Sequence, residues 1–425
     1  MKLKAELWDK IQYLFRNYYD RMMHTVIYLE NRIDTEKLKQ TLSIILDKVE
    51  ILRSRYVASK KNPYWIVEEN NNLVEKVLTI IESKDSEVDL EAFITSKFMG
   101  DQAPQLRVTV IRTEKKDVLA MLVNHQCFDG GDFKALIYKL IEVYNNLING
   151  GNGDVAIKNG SRANEQVYST MSAEDRKIAK GMYKNVSKTK HQVAFPFTDD
   201  MIHSKAMIVK HKINSATFDK LREYGKTYDS TINDVLLAGY FRALYQLVNM
   251  DENQCITIPC MTDLRRHIEG GETAGFTNLT CLLPCTIDSV GPEFSATLKK
   301  VHGEMNRHKN NKFAGLDSIP LLELAYKVAP SCISELLIKA GYTNPFIGMS
   351  NIGILDENKL VFGNVKAEDA FMTGAIKYKP YMQLALTTFK KAITFTICIY
   401  GTASDRAIIE KFFKLFDKEL NSVIK

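Results

Sequence analysis

A mixed α+β fold in two lobes is what this sequence predicts, and three observations carry the prediction. Helical and strand periodicities alternate through both halves of the chain. At 425 residues the chain exceeds the roughly 250–300 residues at which single cores stop growing, so two cores are expected. The strongest loop composition, from Asn149 to Glu165 with Gly150, Gly151 and Gly153, falls between the two halves. The lobes are therefore expected at residues 1–165 and 205–425, joined by a polar, Lys-rich connector over 166–204.

The first half opens with a helical segment around Trp8 to Tyr19 and a strand near Thr25 to Leu29. Asp34 is placed to cap a helix that buries Leu38, Leu42, Ile45 and Val49. A turn at Lys61-Asn62-Pro63 precedes a strand at Tyr64 to Val67. Leu106 to Ile111 and Val118 to Val123 read as paired strands around the charged turn Thr113 to Asp117. Apolar residues at Phe133, Leu136, Ile137, Leu140, Ile141, Tyr144 and Leu147 then predict an amphipathic helix. In the second half, strands are expected at Met207 to Ile213, Ile256 to Pro259, Gln383 to Thr388 and Ile393 to Ile399. Helices are expected at Ser215 to Tyr224, Thr231 to Leu247 and Asp405 to Leu420.

Composition narrows the function classes. Hydrophobic residues make up 45% and charged residues 25%, the usage of a water-soluble globular protein. No run approaches the 18 or so apolar residues of a membrane span, and Glu6, Asp9 and Lys10 break any signal-peptide pattern. A cytoplasmic location is expected. The net charge of +6 is spread out rather than gathered into the basic stripe of a nucleic-acid-binding domain. Two basic stretches, Lys177 to Lys190 and Arg307-His308-Lys309 with Lys312, read as solvated faces or as attraction for an acidic partner or a phosphate. The seven cysteines lack framework spacing, and Cys281 and Cys285 lack the further ligand pair that a zinc site needs.

The stretch richest in chemistry is His125-Gln126-Cys127-Phe128-Asp129-Gly130, between the apolar run Val118 to Val123 and the helix that follows. A histidine on a loop between a core strand and a helix can be aimed into a cleft and exchange a proton near neutral pH. Each residue also has a plain reading: Asp129 as helix N-cap, Gly130 as turn residue, His125 as a hydrogen-bonded strand end. Cys127 stands two residues from His125 and is read as a buried thiol rather than a nucleophile.

Six stretches in order give the chain a family likeness. Asn124 to Gly130 resembles the HHxxxDG motif of the condensation-domain superfamily, related to chloramphenicol acetyltransferase and found in nonribosomal peptide synthetases. Lys48-Val49-Glu50-Ile51-Leu52-Arg53-Ser54-Arg55-Tyr56 is similar to the family's RHExLRTxF motif. Ile258 to Arg265, followed by Gly275-Phe276-Thr277-Asn278, resembles a later strand and its FVNT-type motif. Asn233 to Ala238 and Ser350-Asn351-Ile352-Gly353 look like further landmarks. One position departs from the pattern: Asn124 stands where the first motif histidine belongs.

The resemblance implies two chloramphenicol acetyltransferase-like lobes in a V, with a tunnel between them and His125 at its centre. It implies an acyltransferase with no permanently bound cofactor. The donor would be a phosphopantetheine thioester, on an acyl- or peptidyl-carrier protein or on coenzyme A, and the acceptor a small amine or alcohol. His125 would be the base, or the group that orients an already neutral amine. The Gly130 N–H, at the helix start, would face the developing oxyanion. Asp129 would form a salt bridge to Arg53. Asn124, Asn278 and Asn351 are the candidate substrate contacts, although turn formation explains asparagines equally well. The remaining length holds no adenylation or carrier segment, so a free-standing monomer is expected. A recruitment module without chemistry and an epimerase-type proton abstraction are the competing functions.

Overall fold

The computed structural model describes residues 1–425 apart from Met99, 185–189 and Lys425. Part of the basic stretch Lys177 to Lys190 thus lies outside the described residues. Among the described residues, two large sheets dominate. The first runs in the order Val361–Phe362, Val365–Thr373, Met22–Leu29, Asp117–Asn124, Leu106–Arg112, Leu78–Glu82. The second runs Thr280–Ile287, Ile256–Asp263, Met349–Leu355, Leu384–Phe389, Ala392–Gly401, Lys377–Tyr378, with Lys205–Ile213 also paired to Ala392–Gly401. This is the mixed α+β architecture that the alternating periodicities predict.

The strand leading to the histidine is buried along its whole length, Asp117–Asn124. Its near-continuous apolar run follows from cover on both faces. Leu119, Met121 and Val123 pack with Leu38, Leu42 and Ile45 of the helix Thr35–Lys48 and with Phe133, Leu136 and Ile137 of the helix Gly130–Ile148. Val118, Ala120 and Leu122 meet Leu90, Phe93 and Ile94 of the helix Ser86–Ile94, together with Ile208, Phe371 and Cys398 from the second half. Each of the larger ones, a Val, Leu, Ile, Phe or Met, contributes roughly 1.5–3 kcal/mol when fully buried. Asp34 caps its helix as expected, accepting from the Lys37 N–H at 3.0 Å.

The expected division at residues 165 and 204 does not follow the sheets. Val365–Thr373 leaves the second half and pairs antiparallel with Met22–Leu29, setting Phe371 opposite Val26 and Thr373 opposite His24. Thr387, on a strand of the second sheet, hydrogen-bonds both the N–H and the carbonyl of Met372 at 3.2 and 3.0 Å. Strand pairing is set by edge complementarity rather than chain order, and here it stitches the halves together.

Candidate active site

The motif loop is held from both halves of the chain. The His125 N–H donates to the Arg21 carbonyl at 2.7 Å, on the strand-side neighbour. From the second half, the Asn278 amide donates to the His125 carbonyl at 3.0 Å, and the Asp129 N–H donates to the Thr277 carbonyl at 3.3 Å. Residues Met121 to Asp129 are buried with one exception, His125, which is partly exposed. Its Nδ1 lies 2.8 Å from the Phe128 carbonyl, an oxygen that can only accept. Nδ1 therefore carries the proton, and Nε2 carries the lone pair. Burial lowers the imidazole's pKa, and the positive charge of Lys377 lowers it further, so the ring is neutral at pH 7.

Asp129 is fully committed. It caps the helix Gly130–Ile148 by accepting from the Asp132 N–H at 2.8 Å, and it accepts from the Leu279 N–H at 2.7 Å. Its salt bridge runs to Arg265 at 2.8 Å, not to Arg53. The guanidinium of Arg265 also meets Asp132 at 2.9 Å and Asp263 at 3.0 Å. Arg53 instead donates to the Glu68 carbonyl and stands 3.9 Å from Glu50. The reason is positional. Arg53 ends the short turn Glu50–Arg53 beside the strand Tyr64–Val67, whereas Arg265 follows the strand Ile256–Asp263 that abuts the motif loop. Lys158 adds a further cation on Asp132.

The other expected residues separate. Asn124 is wholly buried: its amide donates to the Gly100 carbonyl at 2.9 Å and to Gln105 at 2.7 Å, and its oxygen accepts from the Gln126 N–H at 2.9 Å. It is a structural residue, not a substrate contact, because no polar atom of its side chain is left over. Asn278, also fully buried, fixes the backbone of His125 and sits 3.2 Å from Nδ1. Asn351 is exposed and donates to Asn233 at 3.3 Å, so two of the sequence landmarks meet each other rather than His125. Gly130 begins the helix, where amide groups lack intrahelical partners. A Cβ there would stand 3.1 Å from Ile352, which explains the glycine by close approach of the strand Met349–Leu355. Cys127 is fully buried and burial pushes its thiol well up, which removes it as a nucleophile.

Sequence reading missed three groups. Arg162 clamps the loop by donating to the carbonyls of Cys127 at 3.2 Å and Phe276 at 2.9 Å, while holding the buried Asp9 through two contacts of 2.8 and 2.9 Å. Lys377 lies 3.7 Å from the centre of the Tyr19 ring, two residues from Arg21, and burial brings its pKa down to about 8. Asp20 accepts from the N–H groups of Met22 and Ile376, and burial raises its pKa to about 6. Each arises from tertiary contact, and no local spacing signals it. Arg265 differs, since it closes the landmark Ile258 to Arg265.

The fold is similar to that of several solved structures. TRI3 trichothecene 15-O-acetyltransferase from Fusarium sporotrichioides is similar at TM-score 0.70 and 11% identity, over 100% of this chain and 96% of that one. The first condensation domain of the calcium-dependent antibiotic synthetase, with a substrate analogue, is similar at TM-score 0.71 and 14% identity, over 100% and 98%. The epimerization domain from the third module of tyrocidine synthetase B is similar at TM-score 0.66 and 13% identity, again over 100% and 98%. At such identities the likeness shows the fold alone. No curated protein matches by sequence. The condensation-domain family model, however, matches residues 11–327, and with the motif strand, His125 and the Asp129 brace all inside that span, the chain belongs to the condensation-domain family.

Proposed function

We propose that the protein is an acyltransferase that moves an acyl group from a phosphopantetheine thioester to an amine or alcohol, forming an amide or ester. One observation carries this reading: in an otherwise buried stretch, the single partly exposed side chain is an imidazole with one nitrogen tied and the other free. Nε2 takes the proton of the attacking N–H or O–H as the lone pair of that acceptor nitrogen or oxygen closes on the thioester carbonyl carbon. The C–S bond then breaks and the thiolate leaves, taking up the proton from His125. The Gly130 N–H at the helix start faces the transient oxyanion. Asp129, Arg265 and Asn278 act through the backbone of the loop and position His125. Asn124, replacing a histidine in the motif, leaves this chemistry intact because its role is in the buried turn.

Family membership supports a carrier-protein donor over free coenzyme A. The basic group Arg307 to Lys312 adds little to that preference, since Arg307 pairs with Glu304 at 2.7 Å and Lys312 with Asp175 at 2.6 Å. An epimerase reading needs a second free acid beside His125. The carboxylate acting on this histidine is Asp129, which is already bound by three donors, so transfer is the better fit. Incubation with matched acyl-carrier and acyl-coenzyme A donors and a panel of amines and alcohols, read by mass spectrometry, tests this. Faster transfer from the carrier is expected; transfer from neither donor contradicts the reading.

A further inference from the structure

The helices Ser318–Val328 and Ser331–Gly341 form a hairpin whose outward face is apolar. The inner stripe, Ile319 and Ile338, is buried in an apolar layer with Ile11, Leu14 and Leu279. Ser334 ties the pair together by donating to the Ala325 carbonyl at 2.7 Å. The opposite stripe carries Leu321, Leu324, Val328, Ile333, Leu336 and Leu337, each between 41% and 68% exposed. Six large apolar side chains at i, i+3 and i+4 spacings on two adjacent helices make a contiguous patch, which ordinary soluble surfaces rarely show. Exposed lysines rim it: Lys327 and Lys339 on the helices, and Lys60 and Lys61 on the turn whose carbonyls hold Ser331 and Cys332. The hairpin's acidic residues are subdued. Glu323 accepts from Asn164, and Glu335 is partly buried, with its carboxyl pushed up by burial.

We propose that this hairpin docks the protein on an anionic lipid surface, its apolar stripe entering the headgroup boundary while the lysines meet lipid phosphates. An apolar helical face flanked by lysines has the chemistry of an interfacial segment. Each helix has 11 residues, far too short to cross a bilayer, and no described helix is long and apolar enough to do so. A second copy is a poorer occupant, because a two-fold interface places the same lysine rim against itself. The hairpin rests on the helix Leu7–Leu14 and stacks Tyr342 on Phe15, and from there the chain runs to Arg21, whose carbonyl holds His125. Docking would therefore bring the site close to the bilayer, favouring a donor or acceptor of lipid character. That last clause rests on the acyl-transfer reading; the binding itself does not.

Flotation of the full-length protein with phosphatidylcholine vesicles, with and without one third phosphatidylserine, tests the proposal. Binding to the anionic vesicles is expected, falling as salt rises. Leu336→Glu with Leu337→Glu, or Lys327→Glu with Lys339→Glu, should weaken it about tenfold or more, since one lysine near such a surface is worth roughly fivefold. Leu336→Ser with Leu337→Ser gives a milder change should the charged pair unfold, and circular dichroism checks each variant. Transfer from soluble donors is measured separately and should be unchanged in all of them. Absence of vesicle binding, or equal binding by the variants, overturns the proposal. So does a concentration-dependent dimer, or capture of an acidic carrier protein, that the leucine variants abolish while vesicle binding persists.

Discussion

The base role proposed for His125 rests on its two nitrogens being treated differently: the Phe128 carbonyl accepts a hydrogen bond from one, and solvent access is left to the other. Burial and the nearby Lys377 both favour the neutral ring. Its pKa is lowered, so the base form survives to more acidic pH than for a free histidine, and the acidic limb of kcat/KM should fall below about 6.5. Lys377→Gln removes a charge that disfavours the imidazolium, so that limb should move to higher pH; an unmoved limb would mean that Lys377 does not act on His125. The brace behind the loop makes a second prediction. Asp129→Ala and Arg265→Ala should each cost roughly 3–5 kcal/mol, as breaking a buried pair does, while the double variant costs far less than the sum. Denaturant titrations measure the cycle, and additive effects would contradict the pairing. Arg53→Ala should be additive with Asp129→Ala. Single residues were legible to different depths. His125 and Asp129 stand out in a motif, but the partner of Asp129 is chosen by which strand end abuts the loop, and nothing local distinguishes Arg265 from Arg53.

Elements with one apolar face were legible, because burial on one side writes a period into the sequence. The helices Thr35–Lys48 and Gly130–Ile148 begin at Asp34 and Asp129, where side-chain capping stops any shift of register. Two elements without a clean period were missed. The outer hairpin is apolar on both faces, so its period is blurred. Val365–Thr373 carries a register shift between Ala367 and Asp369 that resets its alternation midway. The closing helix Ala403–Asn421 tests the capping logic. Thr402 and Asp405 form a reciprocal box, and Asp405 is also bonded to Lys379 at 2.9 Å and to Thr198. Burial alone would raise its carboxyl, but the Thr402 and Thr198 N–H groups and Lys379 bring it down to about 2. A depressed carboxyl stabilises the fold above its unfolded pKa of about 4 and loses that contribution as pH falls towards 2. Asp405→Asn should lower Tm at pH 7 and narrow the gap to the native protein near pH 2–3. A constant difference across that range would contradict the assignment.

At the scale of the molecule, the two halves do not each own a sheet. The second half lends Val365–Thr373 to the first sheet and supplies Asn278, Thr277 and Arg265 to the motif loop, so the histidine is positioned only in the assembled chain. Two cores and a mixed fold could be expected from length and periodicity, whereas this exchange could not, since strand pairing across more than 300 residues leaves no local trace. We propose that this jointly held histidine performs acyl transfer. Single-turnover transfer from an acyl-pantetheine thioester, followed by mass spectrometry for the native protein and for His125→Ala with an unchanged circular dichroism spectrum, tests this role. Loss of roughly 10²–10⁴-fold in rate is predicted for the variant, the share that a positioned general base contributes. A folded His125→Ala protein that transfers at the native rate would remove His125 from the reaction.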